Sequence, residues 1–143
     1  EYGADAVFVD AGYGTGIVSA GRTVGRNWEL VWFGGGASDP GCLNKRAEIW
    51  RDMRDWLKSG GCIEKDTTLY DDLTGPETVA RVDGKIQLES KEDMKKRGLP
   101  SPNKADALAL TFARHVAAKS SVLPGQTGPR VESEWNPYNL ARS

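Results

Sequence analysis

The chain has 143 residues, 38% of them hydrophobic and 27% charged, and its 19 basic and 20 acidic side chains leave a formal net charge of −1. That composition describes one folded domain able to bury its own core and excludes a disordered or low-complexity polypeptide. Near-neutral charge gives no support to nucleic-acid binding by the chain as a whole, so any such role must rest on local clusters.

Other classes drop out as quickly. No apolar run approaches the ~18 residues of a membrane span, and no signal-peptide pattern opens the chain. Cys42, Cys62 and His115 lack the spacing of a zinc site, and a reducing cytoplasm is the expected setting.

Residues 6–9 are a continuous run of strand formers ending at Asp10, the pattern of a short central strand buried on both faces. A Gly-rich turn, Ala11-Gly12-Tyr13-Gly14-Thr15-Gly16, is expected to lead with Ile17-Val18-Ser19-Ala20 into a short helix broken near Gly21 or Gly25. Residues 29–33 form a second strand stopped by three glycines, and strand–helix–strand order implies a parallel pair with a crossover. Asn44 is a candidate cap for a helix over 45–58, with Trp50, Met53 and Leu57 on one stripe, Arg51 and Asp55 as an outer i,i+4 pair, and Gly60-Gly61 as its stop.

Residues 62–89 are less regular until Asp83-Gly84, which sits between two alternating runs and signals a β-hairpin. Ser90 is placed to cap a short helix over 91–97, ended by Gly98. The last helix is expected from Pro102 to about Ala118 with Ser101 as its cap. The domain is therefore assigned to residues 1–118. Residues 119–143 form a tail without periodicity, in which Trp135-Asn136-Pro137-Tyr138 reads either as a docking element or as a chain end with no role.

Two carboxylates carry the chemistry. Asp10 closes a strand and Asp106 lies in the first turns of the last helix. Acids brought together from separate elements are how proteins hold Mg²⁺ or Mn²⁺ for phosphodiester hydrolysis, because hard cations prefer oxygen. On residues alone, Asp10 reads equally as a turn cap and Asp106 as an acid offsetting the helix dipole. The glycines after Asp10 lack the G-x-G-x-x-G spacing of a dinucleotide cradle; a tight turn and close approach of a DNA backbone is the reading preferred for them. Lys91, Lys95, Lys96 and Arg97 form a local basic cluster against Glu92 and Asp93, read as phosphate contacts or as a solvated helix face. Lys45 and Arg46 invite the same pair of readings. The tryptophans at 28, 32, 50 and 56 are assigned to core packing rather than base stacking.

Four pieces in order carry a resemblance: Val7-Phe8-Val9-Asp10 with its glycines, Asn44-Lys45-Arg46-Ala47-Glu48-Ile49-Trp50, Leu88-Glu89-Ser90-Lys91-Glu92-Asp93-Met94-Lys95-Lys96-Arg97-Gly98, and Ser101-Pro102-Asn103-Lys104-Ala105-Asp106-Ala107-Leu108. Together they resemble the nuclease domain of the large terminase subunit of tailed bacteriophages. The resemblance implies a ribonuclease H-like α/β fold, a mixed sheet flanked by helices, with two divalent ions (Mg²⁺ or Mn²⁺) held by acids. Asp10 matches the acid ending the family's middle strand, and Asp106 the acid on its C-terminal helix. Asn103 falls where many relatives carry Asp or His. The family's first acid precedes the middle strand, so the resemblance implies that further strands, and an ATPase domain, lie upstream of Glu1 in a longer protein; no GxxxxGK[ST] loop occurs here.

The implied function is a metal-dependent endonuclease that hydrolyses double-stranded DNA during genome packaging in the host cytoplasm. The implied partners are the portal protein, at the procapsid, and the small terminase subunit. A non-catalytic DNA or portal docking module is the alternative from another class, and a different ribonuclease H-like enzyme, such as a resolvase, is a third.

Overall fold

The computed structural model describes residues 3–117; the tail assigned to 119–143 lies outside the described residues. The first strand, β1, is Phe8–Asp10 and pairs in parallel with β2, Glu29–Val31, in the register Phe8↔Glu29, Val9↔Leu30, Asp10↔Val31. The parallel pair follows the sequence expectation.

Its crossover is the expected helix and stops between Gly21 and Gly25 as expected, but it begins earlier. Helix α1 spans Ala11–Thr23, so the glycine stretch expected to be a turn is the first half of a helix. Asp10 caps it by accepting from the Gly12 amide at 2.9 Å. Two of the glycines are there for packing. A Cβ at Gly14 would lie 2.2 Å from Val9 Cγ1, and one at Gly21 would lie 2.6 Å from the Trp28 ring. The helix thus lies directly on the sheet at Gly14 and on the Trp28 ring at Gly21.

Asn44 caps α2, Lys45–Lys58, by accepting from the Ala47 amide at 2.9 Å, and the stop follows at Ser59 and the positive-φ Gly60. These bounds are those the sequence gives. The expected Arg51–Asp55 pair is replaced: Arg51 pairs with Asp39 and Asp52, and Asp55 with Arg54. Helix α3, Thr67–Thr74, lies in the segment expected to be irregular, with Asp66 capping the amides of Thr68 and Leu69. Strands β3 (Thr78–Val79) and β4 (Gln87–Leu88) pair antiparallel, their connection passing through Asp83 and the positive-φ Gly84. Among the described residues this pair and β1–β2 are two separate two-stranded sheets rather than one mixed sheet.

Ser90 caps α4, Lys91–Lys96, and Gly98 at φ 79° ends it. The last helix, α5, is Asn103–Leu110, shorter than expected, continuing only as i→i+3 turns through Ala113. Its cap position is Pro102, not Ser101, and no side chain of its own segment caps it.

Val31, Ile49, Trp50, Met53, Ala105, Ala109, Leu110 and Ala113 form one core joining α2 and α5 to the sheet. Full burial of a side chain such as Ile49 or Met53 contributes about 1.5–3 kcal/mol. The alanines of α5 let it lie close to α2, which brings the first turn of α5 within reach of α2's polar side chains. Of the tryptophans assigned to the core, Trp50 is buried and Trp28 half-buried. Trp32 is 60% exposed, and Trp56, at the surface, meets Phe112 with ring centroids 5.6 Å apart.

Candidate metal centre

Asp106 lies in the first turn of α5, where its amide donates to the Pro102 carbonyl, and its side chain is only 6% exposed. A carboxylate so far from water needs partners. It has three, from two elements. Oδ1 accepts from Trp50 Nε1 at 2.9 Å and from Arg46 Nε at 3.2 Å, both on α2. Oδ2 has the Lys91 ammonium, at the start of α4, 2.9 Å away, but without hydrogen-bond alignment, so this buried oxygen has no hydrogen-bond donor. Arg46 is fixed in turn: Nη1 donates to the Glu89 carbonyl at 2.8 Å and the guanidinium lies 5.6 Å from the Trp50 ring centroid. Lys91 also stands 5.6 Å from the Phe33 ring centroid. A cleft of about 310 Å³ lined by Phe33, Asn44, Arg46, Ser90 and Lys91 opens beside these cations.

Asp10 sits at the C-terminal end of β1, on which α5 packs. It shares no hydrogen-bonding partner with Asp106, its own being the Gly12 amide. Asn103, expected beside Asp106 on one helix face, is the exposed first residue of α5. Among the described residues, no three His, Cys, Asp or Glu side chains are grouped to hold a cation. The oxygen of Asp106 that α2 leaves free, Oδ2, is of the type a hard divalent ion takes as ligand, and the Lys91 ammonium stands 2.9 Å from it as counter-cation.

The basic cluster divides. Lys91 turns inward to Asp106, and Lys96 pairs with Asp93 one turn back at 2.6 Å. Arg97 is spent on Glu89, Glu77 and the Gly75 carbonyl, which leaves Lys95 as its exposed member without an ion pair among the described residues. Lys45 pairs with Glu48 at 2.6 Å. Burial pushes the Glu48 carboxyl up, but Lys45 and the Asp39 amide outweigh it and hold the group below its usual range. Arg46, read with Lys45 as a phosphate contact, is instead a buried partner of Asp106.

Sequence reasoning missed Trp50 as a donor, and with it the α2 half of the site. One signal was available. Arg46, Trp50, Met53 and Leu57 recur at helical spacing on a single stripe, and an arginine on an apolar stripe calls for a buried acid.

The sequence matches no family model and no curated protein. Solved structures do match. The nuclease domain of the large terminase subunit gp2 of bacterial virus Sf6 superposes with a TM-score of 0.64 at 22% identity, over 81% of this chain and 67% of that one. A point mutant of gp2c from the same phage with calcium gives 0.64 at 22%, over 80% and 66%. A mutant nuclease domain with manganese and beta-thujaplicinol gives 0.61 at 23%, over 81% and 67%. The chain spans about two thirds of these neighbours and shares their fold.

Proposed function

We propose that this chain is part of the ribonuclease H-like nuclease domain of a phage large terminase, a divalent-metal-dependent endonuclease acting on double-stranded DNA during genome packaging. The observation that carries the reading is the state of Asp106, buried, pinned by α2 through one oxygen and met on the other by the Lys91 ammonium alone, on a fold shared with terminase nuclease domains. The neighbours solved with manganese and with calcium support the metal class. In the parent protein the portal protein and the small subunit are the proposed partners.

Asp106 and Asp10 would hold two Mg²⁺ or Mn²⁺ ions, with Asn103 as a neutral accessory ligand. Bound there, such ions would supply activation of a water for attack on phosphorus and stabilisation of the leaving 3′ oxygen. The chain's own residues do the rest. Arg46 and Trp50 keep the Asp106 carboxylate in place. Lys91 balances its charge, and Lys95, exposed on the same helix, offers a cation to the DNA backbone.

Plasmid cleavage by the full-length protein with Mn²⁺ or Mg²⁺ tests the reading. Cleavage that chelator stops, and that Asp106→Asn and Asp10→Asn each abolish without loss of fold, is the expected result. Full activity in either variant removes that residue from the site. Tight DNA or portal binding with no metal-dependent cleavage would make the domain a docking module instead.

A further inference from the structure

We infer that Arg46 and Trp50 are positioning residues that set the aim of Asp106 and thereby its affinity for metal. The inference rests on the metal-site reading above and assigns α2 a part in it.

A carboxylate turns broadly about its last torsion, so a buried Asp with one fixed oxygen has its other oxygen fixed too. Here both donors to Oδ1 come from one helix, a single turn apart: Trp50 Nε1 at 2.9 Å and Arg46 Nε at 3.2 Å. The indole is a donor only, carried on a rigid ring, and the residue is 7% exposed. Arg46 cannot drift either, because Glu89's carbonyl holds its Nη1 at 2.8 Å. All the hydrogen-bond donation thus falls on Oδ1, and Oδ2 is left to face the Lys91 side. Residues that orient a metal ligand through hydrogen bonds tune the metal although they never touch it. A tryptophan present only to fill the core has no need to share its acceptor with a buried arginine.

The experiment is direct Mn²⁺ binding to the full-length protein by calorimetry without DNA, paired with the Mn²⁺ dependence of plasmid cleavage. Trp50→Phe keeps an aromatic ring and removes the N–H. The Mn²⁺ dissociation constant should rise roughly 10–100-fold, with cleavage largely restored at saturating Mn²⁺. Arg46→Lys keeps the charge without the planar fork; it should shift the same constant in the same direction, and serves alone if Trp50→Phe does not fold. Unchanged Mn²⁺ affinity in these variants, with a lowered melting temperature, would show a purely structural role and overturn the inference while Asp106→Asn still loses metal. Should Asp106→Asn bind Mn²⁺ like the parent, the metal-site reading itself falls and takes the inference with it.

Discussion

Arg97 grips both oxygens of Glu89, with Nε 2.8 Å from Oε1 and Nη2 2.6 Å from Oε2, the fork-to-carboxylate geometry that only arginine offers. The same guanidinium reaches Glu77 and the Gly75 carbonyl. It therefore ties the end of α4 to the residue after β4 and to the end of α3.

A pH dependence follows. Arg97, with the Glu77 amide, outweighs burial and holds the Glu89 carboxyl below its ordinary value of 4.5. A depressed carboxyl stabilises the fold above its unfolded pKa, and the contribution is lost as pH falls through the folded one. Glu89→Gln should therefore lower stability near neutrality and flatten the acid limb below about pH 4.5, as read by urea titrations at successive pH. Arg97→Lys should give much of the same loss. An acid limb that keeps its slope in Glu89→Gln would place the acid sensitivity in other carboxylates.

Lys95 is the contrasting case, exposed on the same short helix with no ion pair among the described residues. If it meets DNA phosphates, Lys95→Ala should weaken duplex binding and reduce the slope of log affinity against log salt by about 1. Adding Lys96→Ala should subtract less, because Asp93 already engages that ammonium. A salt slope identical to the parent's would leave Lys95 as a solvated charge.

The glycines of α1 separate what the sequence could tell from what it could not. Caps at Asn44 and Ser90 and stops at Gly60 and Gly98 are local devices, so α2 and α4 were legible at both ends. Helix α1 was not, because its glycines depress helix propensity and only the tertiary approach to Val9 and Trp28 explains them. Likewise the place of Asp106 in the first turn of the last helix was legible, whereas Trp50's reach to Asp106 spans 56 residues and depends on how α2 packs on α5.

Those same glycines give a stability test. Gly14→Ala places a methyl 2.2 Å from Val9 Cγ1 and should cost about 1–3 kcal/mol as helix and sheet move apart. Gly16 is exposed, and a methyl added there would meet nothing within 4 Å, so Gly16→Ala should gain about 0.5–1 kcal/mol from helix propensity alone. Chemical denaturation of the two variants reads both signs. Equal effects would mean that α1 does not pack on β1 as described.

The aim of Asp106 also depends on α3. Helix α5 starts at Asn103, and Pro102 at its cap position offers no side-chain acceptor; one of its first amides, that of Lys104, is satisfied at 2.8 Å by Oδ2 of Asp72, 32 residues earlier on α3. The Lys104 ammonium meets Asp66, the cap of α3, so the starts of the two helices are bound to each other. Asp72 is 7% exposed, and its loss would leave a helix-start amide without its partner. Asp72→Ala should cost about 1 kcal/mol, the usual effect of a lost cap. It should also slow metal-dependent cleavage, because the first turn that carries Asp106 loses its anchor. Asp72→Asn keeps an acceptor at the same place and should retain most of both properties. Thermal melts and single-turnover cleavage at saturating Mn²⁺ distinguish the outcomes. Asp72→Ala with parental cleavage and a lowered melting temperature would show that α3 supports the fold without setting the carboxylate.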